Sequence, residues 1–364
     1  MSLNHLPVDT QVPAGLGTFG AAFAAPGCPD VFGPVPQSVS MELPQMTASR
    51  RRVNRPGGKL CSAMHWAIMV DALPKRAVLV VNAMSRRGEA AFEEARDKLR
   101  GAGLELIDAH AVHNPEIMEP VVKAAIARAP MVILGGGDGT LSSSIDYFVG
   151  SDTVFAVLPL GTANSFARTL GLPLDLDGAI EVIVRGRRKR IDLGIIDGDY
   201  FANAAALGLS PLIADTVPHG LKKYLGMIGY LIWAARVALK FRPFKLRVTL
   251  DDGTVVKSWA TEARIANGTH HGGVELVESQ SIDSGEMVIQ AVTGKSVWGL
   301  AWSWFATLFR LRHRDQTVTE WRGRRMQLDA RPRQKISIDG EIAATTPVEI
   351  SVARGAIDVA APRD

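Results

Sequence analysis

Apolar and polar positions along the chain follow two patterns. Ala77-Val-Leu-Val-Val81, Met131-Val-Ile-Leu134 and Val154-Phe-Ala-Val-Leu158 are continuous apolar runs, as expected of strands covered on both faces. Between them, Phe92, Ala95 and Leu99 mark one face of a helix. Residues 104–107 read as a strand, 117–127 and 141–148 as helices, and a further helix starts at Ser165. Strands alternating with helices at this spacing predict an α/β domain with a largely parallel sheet.

After Arg190 the runs shorten and alternate, at 245–250, 263–266, 287–292, 335–338 and 348–352. Asp252-Gly253, Ser284-Gly285 and Asp339-Gly340 separate them as turn signals. This half predicts an antiparallel β-sandwich, with helical stretches inserted near 221–241 and 296–311. The expected organisation is a tail over 1–74, an α/β domain over 75–195 and a β-rich domain over 196–364. The last strands are expected to return and brace the first domain. The tail holds 9 of the 20 prolines and 7 glycines without sustained period, so it reads as disordered, and Met46, Met64 or Met69 are alternative starts.

Composition narrows the class. The 364 residues carry a net charge of +4, but 185–335 alone hold 24 Lys/Arg against 14 Asp/Glu, a local +10. Such a half suits an anionic membrane surface, a nucleotide or a nucleic acid. Two cysteines, Cys28 and Cys61, are too few for a disulfide framework or a Cys-rich zinc site, and no secretory signal stands out, so a cytoplasmic setting is expected. The longest uncharged apolar-rich runs, 224–235 and 296–309, have 12 and 14 residues. A spanning helix needs about 18 or more.

Candidate chemistry sits in three loops. Gly135-Gly-Gly-Asp-Gly-Thr140 follows a buried strand and precedes a helix. Glycines let backbone approach phosphate oxygens, and a helix N-terminus adds N–H donors. A carboxylate in such a loop repels phosphate unless a cation intervenes, so Asp138 reads as a Mg²⁺-linked group. The plainer alternative is a glycine turn with a solvated Asp. Asn82-Ala-Met-Ser85-Arg-Arg-Gly88 and Pro159-Leu-Gly-Thr-Ala-Asn-Ser-Phe-Ala-Arg168 occupy the same sheet edge after the first and fourth strands. The loops match neither a Walker A nor a G-x-G-x-x-G pattern.

Together the three loops resemble those of the diacylglycerol kinase catalytic-domain family of lipid kinases, which includes sphingosine and ceramide kinases. Phe201-Ala-Asn203 with Gly208, Asn267-Gly268 with Gly272-Gly273, and Asp339-Gly340-Glu341 extend the likeness over about residues 75–360. The resemblance implies an N-terminal nucleotide-binding domain of the NAD kinase and diacylglycerol kinase type. It places ATP against Asn82, Ser85, Gly136, Gly137, Asp138, Gly139, Thr140 and Thr162, with Asn164 in support. It also implies Mg²⁺ at Asp138, a structural Mg²⁺ at the turn containing Asp283, and Glu341 as general base. Without the resemblance, Asp339-Gly340 is a hairpin turn and Glu341 a solvated rim charge. Ser142-Ser143, Ser165 and Ser284 depart from the Asn-Glu, Asp and Asp of the family pattern, and His110 stands near a position where the family often has a nucleotide-contacting Thr.

Two segments suit a membrane surface. Trp298, Trp302, Phe305 and Phe309 form one helical stripe before Arg310, Arg312, His313 and Arg314. Lys222 and Lys223 precede a second apolar stretch through Trp233. Packing both stripes inside the β domain is the alternative. Arg187-Arg-Lys-Arg190 lacks an aromatic stacking platform, so no nucleic-acid partner is expected, and the cluster reads as solvated or lipid-facing.

The expected activity is transfer of the ATP γ-phosphate to a membrane lipid hydroxyl, diacylglycerol first. The expected setting is cytoplasmic and peripheral to an anionic membrane; a homodimer is compatible with the sequence. An NAD kinase-like enzyme and a catalytically weakened nucleotide or lipid sensor are the other readings.

Overall fold

The computed structural model describes residues 71–84, 86–218, 229, 232–271, 274–275, 281–295 and 318–363. The order begins β1 (Arg76–Asn82), α1 (Arg86–Gly101), β2 (Glu105–Val112), α2 (Met118–Arg128), β3 (Met131–Gly136), α3 (Asp138–Ile145) and β4 (Val154–Pro159). α4 (Ser165–Thr169), α5 (Leu176–Arg185), β5 (Arg187–Ile196), β6 (Asp199–Phe201), β7 (Ala204–Gly208) and α6 (Leu209–Thr216) follow. The remaining strands are β8 (Phe244–Thr249), β9 (Val255–Ala266), β10 (His270–His271), β11 (Val274–Glu275), β12 (Met287–Thr293), β13 (Val318–Gly323), β14 (Arg325–Arg331), β15 (Lys335–Ile338), β16 (Glu341–Thr345) and β17 (Val348–Ala361).

β2, β1, β3 and β4 form a parallel sheet in that spatial order. Alternate residues of β1 enter different cores, which is why its sequence is apolar throughout. Val78 and Val80 pack with α2 residues Met118, Val122 and Ala125. Ala77, Leu79 and Val81 pack with Phe92, Ala95 and Leu99 of α1 and Ile180 and Ile183 of α5. Helices therefore cover both faces and leave the carboxyl ends of the strands open. Leu73 joins this second core and the Asp71 carbonyl accepts from the Arg188 N–H, so 71–74, expected in the tail, belong to the folded unit. Residues 1–70 lie outside the described residues.

The β domain closes around a separate core that includes Phe244, Leu246, Ile265, Ile289 and Leu328. β9 pairs with β8 over its first half and with β7 and β12 over its second. β17 pairs with β14 at Val348–Ser351, and farther along it lies parallel to β4 at Asp358–Val359. One 14-residue strand thus belongs to both halves. β5 runs antiparallel beside it, with a register break between Ala353 and Ile357. Asp192 spans the break, accepting from Gly355 N at 2.7 Å and Gly285 N at 2.6 Å.

The Arg187–Arg190 run, expected as a solvated or lipid-facing cluster, forms the start of β5, with Arg187, Arg188 and Lys189 half-buried and Arg190 exposed. Arg188 pairs with the buried Asp358 at 2.6 Å, Lys189 with Asp283 at 3.1 Å, and Arg190 donates to the Gly355 carbonyl. Of the two expected helical stretches, residues 232–240 are helical; 219–228 and 296–317 lie outside the described residues.

Candidate active site

Three loops meet at the carboxyl edge of the parallel sheet. Asn82, the last residue of β1, donates through Nδ2 to Thr140 Oγ1 at 2.9 Å and accepts from Met84 N. The loop after β3 and the loop after β4 approach so closely that only glycines fit between them. A Cβ on Gly161 would lie 2.6 Å from the Gly137 Cα, and one on Gly136 would lie 2.7 Å from the Thr140 Cβ. Asn164 locks the third loop from a left-handed conformation (φ +49°), accepting from Gly161 N at 2.9 Å and donating to the Gly161 carbonyl. A short polar side chain that returns to nearby backbone is well suited to this conformation.

A cavity of about 660 Å³ opens beside these loops. Asn82, Gly136, Gly137, Gly161 and Asn164 line it with polar atoms and bare backbone, and Leu174 and Leu176 close another side. Glu94 and Asp175, which no motif singles out, also line it. The cavity, the free N-terminus of α3 and the glycine backbone together make a receptacle for a phosphate-bearing ligand.

Asp138, the first residue of α3, accepts from Phe166 N at 3.2 Å and so caps α4. Gly139 and Thr162 are exposed and do not line the cavity, and a Cβ on Gly139 would meet nothing within 4 Å. Ser85 lies outside the described residues.

The β15–β16 hairpin reaches α3 from the β domain. Its turn residue Asp339 has φ +46° and is half-buried, with its carboxylate aimed at the first domain. Oδ2 accepts from Ser142 Oγ of α3 at 2.9 Å and from Ala202 N at 3.3 Å, while Oδ1 accepts from Ala204 N at 3.3 Å. Burial pushes this carboxyl above its ordinary value despite those hydrogen bonds, and the charge of Asp138 adds to the rise. Two residues on, Glu341 opens β16 and is exposed. The two Asp138 and Glu341 carboxylates thus belong to elements joined through Ser142 and Asp339.

Comparison with known proteins gives the site its family. The family model for the diacylglycerol kinase catalytic domain matches residues 76–196, and that for the YegS C-terminal NAD kinase beta sandwich-like domain matches 205–361. The chain belongs to the diacylglycerol kinase catalytic-domain family of lipid kinases. A protein named diacylglycerol kinase from Mycobacterium tuberculosis is 27% identical over 304 residues, 78% of this chain and 94% of that one. A probable lipid kinase YegS-like from Shewanella frigidimarina is 26% identical over 254 residues, 68% of this chain and 82% of the relative. The crystal structure of a diacylglycerol kinase from Bacillus anthracis superposes with a TM-score of 0.63 at 19% identity, over 79% of this chain and 96% of that one. It shares the fold.

Against the lipid kinase pattern, several landmarks turn out to hold the fold rather than a ligand. The fully buried Asn267 donates through Nδ2 to the Asp192 and Ala202 carbonyls, both at 2.9 Å. Gly208 has φ +105°, and a Cβ there would come within 2.4 Å of the Thr261 carbonyl. Ser142, one of the departures, is occupied in holding Asp339.

The residues around Asp138 fit a nucleotide carrying Mg²⁺, because that ion is commonly held by one or two carboxylates and the phosphates themselves. The turn at Asp283 does not fit a structural Mg²⁺. The Asp283 carboxylate faces the Lys189 ammonium at 3.1 Å and the Ser281 hydroxyl. Burial pushes it up, but the hydroxyl and the ammonium together outweigh burial and hold it below its ordinary value. Among the described residues, no three His, Cys, Asp or Glu side chains are grouped to hold a metal ion.

Proposed function

We propose that this lipid kinase transfers the γ-phosphoryl group of ATP to the hydroxyl of a membrane lipid, with diacylglycerol as the substrate and phosphatidic acid as the product. The carrying observation is the Ser142–Asp339 hydrogen bond, which ties the Glu341 hairpin to the helix that starts at Asp138.

The backbone of Gly136, Gly137, Gly139 and Gly161 would receive the phosphates, with Thr140 held in place by Asn82. Thr162 would stand at the rim and Asn164 would keep its loop closed. Asp138 would hold Mg²⁺, whose charge offsets that of the phosphates when bound. Glu341 would take the proton as the lipid oxygen bonds to the γ-phosphorus and the bond to the ADP oxygen breaks. The exposure of Glu341 supports this role, since a membrane-borne hydroxyl must reach the base from outside. The reaction would run in the cytoplasm at an anionic membrane surface; among the described residues no helix is long and apolar enough to cross a membrane.

The test incubates the enzyme with Mg²⁺, γ-labelled ATP and micelles of diacylglycerol, ceramide or a sphingoid base, with NAD in a parallel tube. Label extracted as phosphatidic acid is the expected result. Label in NAD alone, or in nothing despite ATP binding, contradicts the proposal.

A further inference from the structure

The helix at 232–240 has two apolar faces. One is half-buried: Trp233, Ala234, Val237 and Ala238 pack with Leu209 and Ile213 of α6 and with Val292 and Val318 of the sheet. The other is open. Ile232 and Leu239, one heptad apart, are 59% and 82% exposed, and Ala235 lies between them at the surface. Arg236 and Lys240 are exposed on the same side. A helix already seated on its own domain has no need of a second apolar face for folding.

Beside that face runs a groove of about 250 Å³ between the helix and α6. Leu212, Trp233, Val237 and Phe241 form its walls, and Arg236 and Lys240 its rim. Trp233 Nε1 donates to Thr216 Oγ1 at 3.1 Å, which satisfies the one polar atom of the indole. The acid nearest the groove in sequence, Asp215 of α6, is paired with Lys335 at 3.5 Å, and the helix and its flanks carry charge of one sign. Residues 217–250 contain seven Lys/Arg and neither Asp nor Glu. The strand β8 starts four residues after the helix, and its Lys245 stands 5.5 Å from the ring of the part-exposed Trp259.

We infer that this face docks on an anionic lipid bilayer. Ile232 and Leu239 enter the acyl boundary, and Arg236, Lys240 and Arg242 meet the headgroup phosphates. The complementarity is electrostatic as well as apolar: cations without intervening carboxylates suit a negative leaflet, while a protein partner of mixed charge would leave them unmatched. The inference rests on the lipid kinase reading only for why a bilayer is relevant, and its test needs neither nucleotide nor turnover.

The measurement is co-sedimentation of the full chain with phosphatidylcholine–phosphatidylglycerol vesicles and, separately, with phosphatidylcholine alone. The wild type binds the anionic vesicles, and salt releases it. Ile232→Ser/Leu239→Ser and Arg236→Glu/Lys240→Glu each lower the bound fraction at least about tenfold, with unchanged melting curves and unchanged phosphorylation of a micellar acceptor. No binding by the wild type, or equal binding by both double variants, overturns the inference. So does a dimer that Leu239→Ser converts to monomer, because the face would then belong to a second copy of the chain. Loss of turnover with vesicle binding intact contradicts the kinase reading alone.

Discussion

Ser142 and Asp339 lie 197 positions apart in sequence, yet the serine hydroxyl donates to the aspartate carboxylate at 2.9 Å. The bond joins a helix of the nucleotide domain to a hairpin of the β domain. Hydrogen bonds to a charged, sheltered acceptor contribute about 1.5–3 kcal/mol. Ser142→Ala should therefore destabilise the chain by about 1–3 kcal/mol in urea unfolding. It should also lower kcat while leaving ATP affinity unchanged, because it loosens the Glu341 hairpin and not the phosphate loops. A fall in ATP affinity with kcat intact would place the effect elsewhere.

Asp339 gives a pH dependence of defined sign. Burial raises its folded-state pKa above the unfolded one. Such a group binds its proton more tightly in the native state, so its contribution is most favourable below the unfolded value and is lost as pH rises through the folded value. Asp146 adds the same sign, raised by partial burial and then by Asp199 and Asp339. Asp339→Asn keeps an acceptor for Ser142 and tolerates φ +46°, so it should gain stability relative to wild type as pH rises across that window. Parallel stability–pH curves for the two proteins would refute this.

The glycines of the site separate by what surrounds them. Gly161→Ala drives a methyl group to 2.6 Å from the Gly137 Cα and 2.8 Å from Asn164 Oδ1, so two loops must part. ATP binding, followed calorimetrically, should weaken at least about tenfold, the equivalent of about 1.4 kcal/mol. Gly139→Ala meets nothing within 4 Å and should leave the melting curve unchanged.

Lys189 gives a metal-removal prediction. Its ammonium already neutralises Asp283. Without nucleotide, melting curves in EDTA and in Mg²⁺ should superimpose for the wild type. Lys189→Met leaves the carboxylate without its cation, and Mg²⁺ should then raise its melting temperature. Strong stabilisation of the wild type by Mg²⁺ alone would contradict the account.

What the sequence revealed follows from which forces shape the local pattern. β1, β3 and β4 are sandwiched between helices, so their apolar runs were legible and their bounds agree within two residues. β5 was hidden because its first four residues are cations, matched by Asp358, Asp283 and backbone carbonyls that only the folded chain supplies. The last strands were expected to brace the first domain, but the local pattern ends that run at Val352, whereas β17 continues past Gly355 (φ +53°) to Ala361. The phosphate loops announced themselves through glycine spacing. Asp339 did not, because Asp-Gly reads as a hairpin turn; its second role depends on Ser142, far away in sequence. Ser142 itself read as a lost family residue.

The most direct test of the account is single-turnover phosphorylation of diacylglycerol by the wild type and by Glu341→Gln, with ATP affinity measured on the same samples. General-base catalysis contributes about 10²–10⁴ in rate. The account predicts that Glu341→Gln binds ATP as the wild type does and forms phosphatidic acid at least about a hundredfold more slowly. Equal rates for the two proteins, or an acceptor other than a lipid hydroxyl, would contradict it.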